Sequence, residues 1–183
     1  MNRLQPILQK LGASQEAFLR AADGVSNADW LVPPNADRWS AGEVVGHLCR
    51  VEREIVAYAD RVIRKAPRRV SFWRRWHLPI QLVESRMVKR KAPGAVEPVS
   101  LAEKETMMAE LRGVRERTLA FLEETHSRKL EGYIWRHPFL GNLNFYDWFT
   151  FVAAHQVRHT KQLLELRREE RVVATGRKIY QKM

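Results

Sequence analysis

Apolar residues return at three- and four-residue spacing in four stretches of the chain, with no alternating run longer than a few residues and no internal repeat. This pattern predicts an all-α protein. The first helix is expected from Asn2 to Ala22, through Leu4, Leu8, Leu11, Phe18 and Ala22, with Asp23-Gly24 as its stop. A polar loop containing Pro33-Pro34 follows. The second helix has a reciprocal start, in which Ser40 caps, Glu43 bonds back to the amide of Ser40, and Trp39 packs on Val44 as a hydrophobic staple. Its inward stripe reads Val44, His47, Leu48, Val51, Ile55, Tyr58 and Val62. It should end near Arg64 or Lys65, because Pro67 disfavours helical geometry at Ala66.

The connection from Pro67 to Val99 carries Phe72, Trp73, Trp76 and many arginines, with a short helix expected from Pro79 to Lys91. Its length is sufficient to cross a bundle, so helices two and three need not be antiparallel neighbours. The third helix is expected to open on a second capping box, Ser100 and Glu103, and to run to about Thr125 through Met108, Leu111, Val114, Thr118, Phe121 and Leu122. After the aromatic segment Tyr133 to Phe139 and the breaker Gly141, Asn144 can cap a fourth helix with Asp147 in its first turn. The inward stripe there is Trp148, Val152, His155, His159, Leu163 and Leu166, and beyond about residue 170 the basic tail should be weakly ordered. The expected architecture is a four-helix bundle formed by residues 1–183 as one domain, with a long connection between helices two and three.

Composition narrows what such a bundle can do. With 45% hydrophobic residues the chain can fill a core, which excludes a disordered class. The single cysteine, Cys49, excludes an intrachain disulfide and any multi-cysteine metal site, and it is expected to be a packed thiol. No early stretch has the form of a secretory signal, and no run approaches the roughly 20 apolar residues of a membrane span. The expected location is the cytoplasm. The net charge of +11 would draw the chain toward polyanions, but along the helices bases alternate with acids, as in Arg50, Glu52, Arg53 and Glu54. Only Arg64 to Lys91 forms a concentrated basic patch, so no specific nucleic-acid binding is expected.

The chemistry lies in the histidines. His155 and His159 are four residues apart, so they share one helix face, and that face is the apolar one. His47 sits on the apolar stripe of another helix. Burying three imidazoles requires compensating partners, and one divalent ion would satisfy all three lone pairs. His77 in the connection, His126 at the end of the third helix and His137 before a proline have structural or solvent-facing explanations. Three neutral imidazoles suit zinc or nickel, and ferrous iron as a third choice, with a coordination position left for water or substrate.

Three strings also resemble a known family: Trp39-Ser40-Ala41-Gly42-Glu43-Val44-Val45-Gly46-His47-Leu48, the turn His137-Pro138-Phe139-Leu140-Gly141, and His155-Gln156-Val157-Arg158-His159-Thr160-Lys161-Gln162-Leu163. They are similar to the marks of the DinB-like superfamily, four-helix metal-binding proteins that include bacillithiol S-transferases and mycothiol-dependent maleylpyruvate isomerases. The resemblance implies His47, His155 and His159 as ligands, His137 as a turn residue, and a small-molecule substrate such as a low-molecular-weight thiol. Asp147 stands where similar sequences often carry glutamate, and the arginine-rich connection is heavier than usual.

Three functional classes stay open on the sequence: a metal-dependent enzyme, as a thiol-dependent S-transferase or a hydrolase; a non-enzymatic stress or interaction protein stabilised by its metal; and a basic nucleic-acid or membrane-surface binder using Arg64 to Lys91 with its aromatic residues. No catalytic residue is assigned, because Glu43 and Asp147 lie near helix starts and cannot be placed beside the metal from sequence. The pattern is compatible with a homodimer.

Overall fold

The computed structural model describes residues 3–67, 76–85 and 101–180, with side chains as far as residue 168. Four helices, α1 (Leu4–Asp23), α2 (Ala41–Ile63), α3 (Lys104–Glu124) and α4 (Phe145–Tyr180), make up most of it, with a two-stranded antiparallel hairpin of β1 (Ile134–His137) and β2 (Gly141–Asn144) between the last two. Among the described residues no helix is long and apolar enough to cross a membrane.

The helix starts follow local chemistry. At α2 the expected capping box is complete: Ser40 Oγ accepts from Glu43 N at 3.2 Å and Glu43 Oε2 accepts from Ser40 N at 2.7 Å. A second reciprocal cap opens α4, where Asn144 Oδ1 accepts from Tyr146 N and Asp147 N while Asp147 Oδ2 accepts from Asn144 N at 3.3 Å. The box expected at Ser100 does not start α3, whose cap position is Glu103 without a side-chain cap bond; Ser100 itself lies outside the described residues. The helix end at Gly24 stays right-handed, and Lys104 Nζ donates to the carbonyls of Asp23 and Val25 there.

Contacts at both ends of each pair fix the helix directions. Glu52 meets Arg115 and Ile63 O meets Arg128, so α2 and α3 run parallel. Ser14 meets Gln156 and Gly24 lies beside Arg167, so α1 and α4 run parallel, whereas Leu11 at Arg115 and Asp23 at Lys104 set α1 against α3. The topology is therefore up-down-down-up. Parallel α2 and α3 pack against each other although they are joined by the long connection, which must return the length of the 23-residue α2, about 34 Å at 1.5 Å per residue.

Part of that connection belongs to the core. Ile80, at the start of a 3-10 helix (Ile80–Glu84), is buried in the same cluster as Leu11, Phe149 and Val152. Leu78 N donates to Leu140 O at 2.8 Å, His77 bridges Gly141, and Arg158 and Lys161 of α4 donate to the carbonyls of Val83, Ser85 and Glu84. Gly141 has φ 98°, and a Cβ there would stand 3.1 Å from Trp76 O, so both the turn and the close approach of the connection require glycine. The expected helix from Pro79 to Lys91 is thus this short 3-10 turn as far as Glu84, with residues 86–91 outside the described set.

Two stripes differ from expectation. On α2 the buried face turns from Leu48 through Glu52, Ile55, Ala59 and Ile63, leaving Tyr58 exposed and Val51 and Val62 half-buried. On α3 Arg115 is buried beside Val114. The two misplaced charges belong together: Arg115 Nε and Nη2 donate to the two carboxylate oxygens of Glu52 at 2.7 and 2.9 Å, Nη2 also donates to Gln156 Oε1 at 3.0 Å, and Nη1 donates to Leu11 O. Ser14 Oγ, 3.0 Å from both Leu11 O and Gln156 Oε1, completes a network contributed by all four helices. The backbone of α4 continues as helix to Tyr180.

A buried ion pair is dangerous to break and cheap to replace whole. Arg115→Met should lower unfolding stability by about 3–5 kcal/mol, because Glu52 is left buried and unpaired, while the double variant Glu52→Leu/Arg115→Met should recover most of that loss. Urea unfolding of the single and double variants checks it; a double variant as unstable as the single one would contradict the network's role.

Candidate metal centre

The three predicted histidines converge between α2 and α4. His155 Nε2 lies 3.2 Å from His47 Nε2 and 3.1 Å from His159 Nε2, and all three ligand atoms fall within 4.8 Å of one another. The rings stand edge-on, with centroids 4.6–5.0 Å apart. His47 and His159 are buried and His155 half-buried. Burial first, then the neighbouring His159 and His47, pushes the pKa of His155 well below the ordinary imidazole range, so the ring is neutral at neutral pH, with a lone pair on one of its two nitrogens.

The two short separations also accommodate a shared ion. A ring nitrogen of a neutral imidazole either donates or accepts, so His155 Nε2 cannot serve both neighbours with one well-directed bond to each. Two nitrogens each about 2.05 Å from a tetrahedral ion should be roughly 3.3 Å apart, close to the two separations found. The three side chains could therefore hold a divalent cation. Among the described residues the convergent group contains no carboxylate or thiolate.

Residues around the trio were less legible. Trp39 packs against the apolar cluster that includes Val44, as its staple position implies, but its ring also sits 4.8 Å from that of His47 and nearly parallel to that of His159 at 6.4 Å. Phe151 stacks on His155 at 5.3 Å. Gln162, one turn beyond His159, accepts a hydrogen bond from His159 Nδ1 at 2.9 Å. The sequence reading did not single out Gln162, although its three-residue spacing from His159 is a signal that could have done so; nothing in the sequence placed Trp39 or Phe151 at the imidazoles.

The remaining candidates are elsewhere. Glu43 is engaged at the α2 cap, and Asp147 is shared between the α4 cap and His77 Nε2, 3.4 Å away. Cys49 is buried, and that burial, with Glu110 next, raises its thiol pKa to about 12, the inert packed thiol expected. His126 binds the carbonyl of Glu123 near the end of α3. Of the basic patch, Arg64 pairs with Asp60, while 68–75 and 86–91 lie outside the described residues.

His137 is a turn residue in a stronger sense than its proline neighbour suggested. Its Nδ1 accepts from the amides of both Phe139 and Leu140 at 3.1 Å, closing the hairpin, and its ring packs edge-on against Phe151 at 4.5 Å.

A four-helix bundle with three convergent, desolvated imidazoles on two of its helices defines a class of helical proteins built around an intrahelical His-x-x-x-His pair and a third histidine. This chain belongs to the DinB superfamily, whose sequence profile matches residues 10–163. It is also similar to an uncharacterized protein, YuaE, of Bacillus subtilis (strain 168), at 27% identity over 145 residues, which covers 79% of this chain and 86% of that protein.

Burial lowers the pKa of His137 to about 4, against an ordinary value of 6.5. The unfolded chain then takes up a proton that the folded chain refuses, so this residue's contribution is fully present above pH 6.5 and is lost as pH falls from about 6.5 to about 4, at most about 3 kcal/mol. In urea unfolding across that window, His137→Gln, which keeps an acceptor for the turn amides, should show a shallower loss of stability than the parent; an unchanged slope would contradict the assignment.

Proposed function

We propose that His47, His155 and His159 hold one divalent cation, zinc or nickel in preference to iron, and that the chain is a metal-dependent enzyme acting on a small molecule, as a thiol-dependent transferase or a hydrolase. The observation that carries the proposal is the position of His155 Nε2, within 3.2 Å of two other imidazole nitrogens that it cannot bond separately. When bound, such an ion with only neutral protein ligands retains its charge and favours the deprotonated form of a water or thiol at a free position.

The chain's own residues prepare that chemistry. Burial holds His155 in its neutral form, Trp39 and Phe151 supply aromatic surface beside the three rings, and the Arg158 guanidinium adds positive charge near His155. An anionic ligand is favoured by this balance over a cationic one. The thiol branch of the proposal rests on membership in a superfamily with thiol-dependent transferases. A metal that only stabilises the bundle is the competing reading, distinguished by whether loaded protein turns over a thiol and an electrophile.

About one divalent ion should bind per chain, and its binding free energy should add to folding stability. His47→Ala, His155→Ala and His159→Ala should each weaken binding, whereas His77→Ala and His137→Ala should retain the metal. Acidification should release the ion as protons compete for imidazoles of ordinary pKa about 6.5. Metal analysis and isothermal titration of the six proteins test this, and full metal content in the His47→Ala protein would refute the three-histidine site.

A further inference from the structure

A neutral imidazole presents a lone pair at Nε2 only when its proton sits on Nδ1. For His159 the groups around the ring decide which form exists. Its Nδ1 is 2.9 Å from Gln162 Oε1, an atom that can only accept, so the proton belongs on Nδ1 and the lone pair on Nε2. That Nε2 is the atom 3.1 Å from His155 Nε2, pointing into the trio. His159 is 5% exposed, so little water is present to compete with Gln162 for the proton.

Helical geometry makes the contact available. Gln162 lies three residues beyond His159 on α4, and helical side chains lean toward the N-terminus, so a glutamine at that spacing reaches back over the histidine one turn earlier. A shorter amide at the same position would not span the gap, and an apolar residue would leave Nδ1 without its acceptor.

We infer that Gln162 is a positioning residue for the trio: it fixes the tautomer and ring orientation of His159, so that the Nε2 lone pair faces the site before any ion arrives. The functional consequence rests on the metal-site reading above. Gln162 acts through His159 and not as a ligand. Carboxylate and carbonyl partners of ligating histidines are worth 10- to 100-fold in metal affinity, roughly, and the same range is expected here.

Two measurements test the inference separately from the metal reading. In metal-free 15N-labelled protein, the imidazole shifts of His159, assigned by comparison with His159→Asn, should report a proton on Nδ1 in the parent and in Gln162→Glu, which keeps the acceptor. In Gln162→Leu and Gln162→Ala the proton should move to Nε2, with helical circular dichroism unchanged. Titration with zinc and nickel ions should then show affinity reduced roughly 10- to 100-fold in the Leu and Ala variants and restored in Gln162→Glu. An unchanged His159 tautomer in both apolar variants, or parental affinity in both, would overturn the inference. If the parent binds no ion, the metal reading fails, and the 15N comparison alone still decides the role of Gln162.

Discussion

The guanidinium of Arg115, 2% exposed at the centre of the bundle, is the constraint around which the four helices are arranged. A buried charge is tolerated only with its counter-ion and its remaining donors satisfied. Here the acceptors come from Leu11 on α1, Glu52 on α2 and Gln156 on α4, so one side chain of α3 fixes the axial position of the other three helices. An apolar core tolerates sliding by a fraction of a turn, since one aliphatic contact replaces another. A bidentate pair does not, because a shift of an ångström or two turns hydrogen bonds into unsatisfied charge.

This constraint reaches the histidines through helix geometry. Gln156 follows His155 directly, and Glu52 is five residues beyond His47, about 7.5 Å along α2. Anchoring Glu52 and Gln156 to one guanidinium therefore sets the relative height of the two helices that carry the imidazoles. Three nitrogens that must meet within a few ångströms need such an anchor, since metal ligands displaced by about 1 Å no longer share an ion well. The polar network and the trio thus occupy adjacent levels of the same helix pair, one fixing register and the other using it.

The parts of this arrangement that were legible in the sequence were local. The Ser40–Glu43 box, the Asn144 cap, and the i, i+4 pair His155 and His159 depend on residues within a turn of one another, and each is present. Apolarity alone puts Val51, Tyr58 and Val62 on the inward stripe of α2. The helix in fact buries Glu52, Ala59 and Ile63. Glu52 looked like one member of an alternating charged surface, and only its partner 63 residues away shows otherwise. The hairpin was hidden for a related reason. Each strand has four residues, and the turn is closed by the His137 side chain and by the connection at Gly141, neither of which leaves a periodic signal.

The separation of charge inside the bundle also bears on what the trio can do. Glu52 is the buried acid of α2, yet both of its oxygens are taken up by Arg115, and the pair is neutral as a unit. The convergent donors among the described residues are accordingly imidazoles alone. A carboxylate ligand would cancel half the charge of a divalent ion and weaken its pull on a bound nucleophile's proton. By committing Glu52 to the register of the helices, the fold leaves only imidazoles among the convergent donors, and this absence of a carboxylate is what supports the proposal of an anionic ligand.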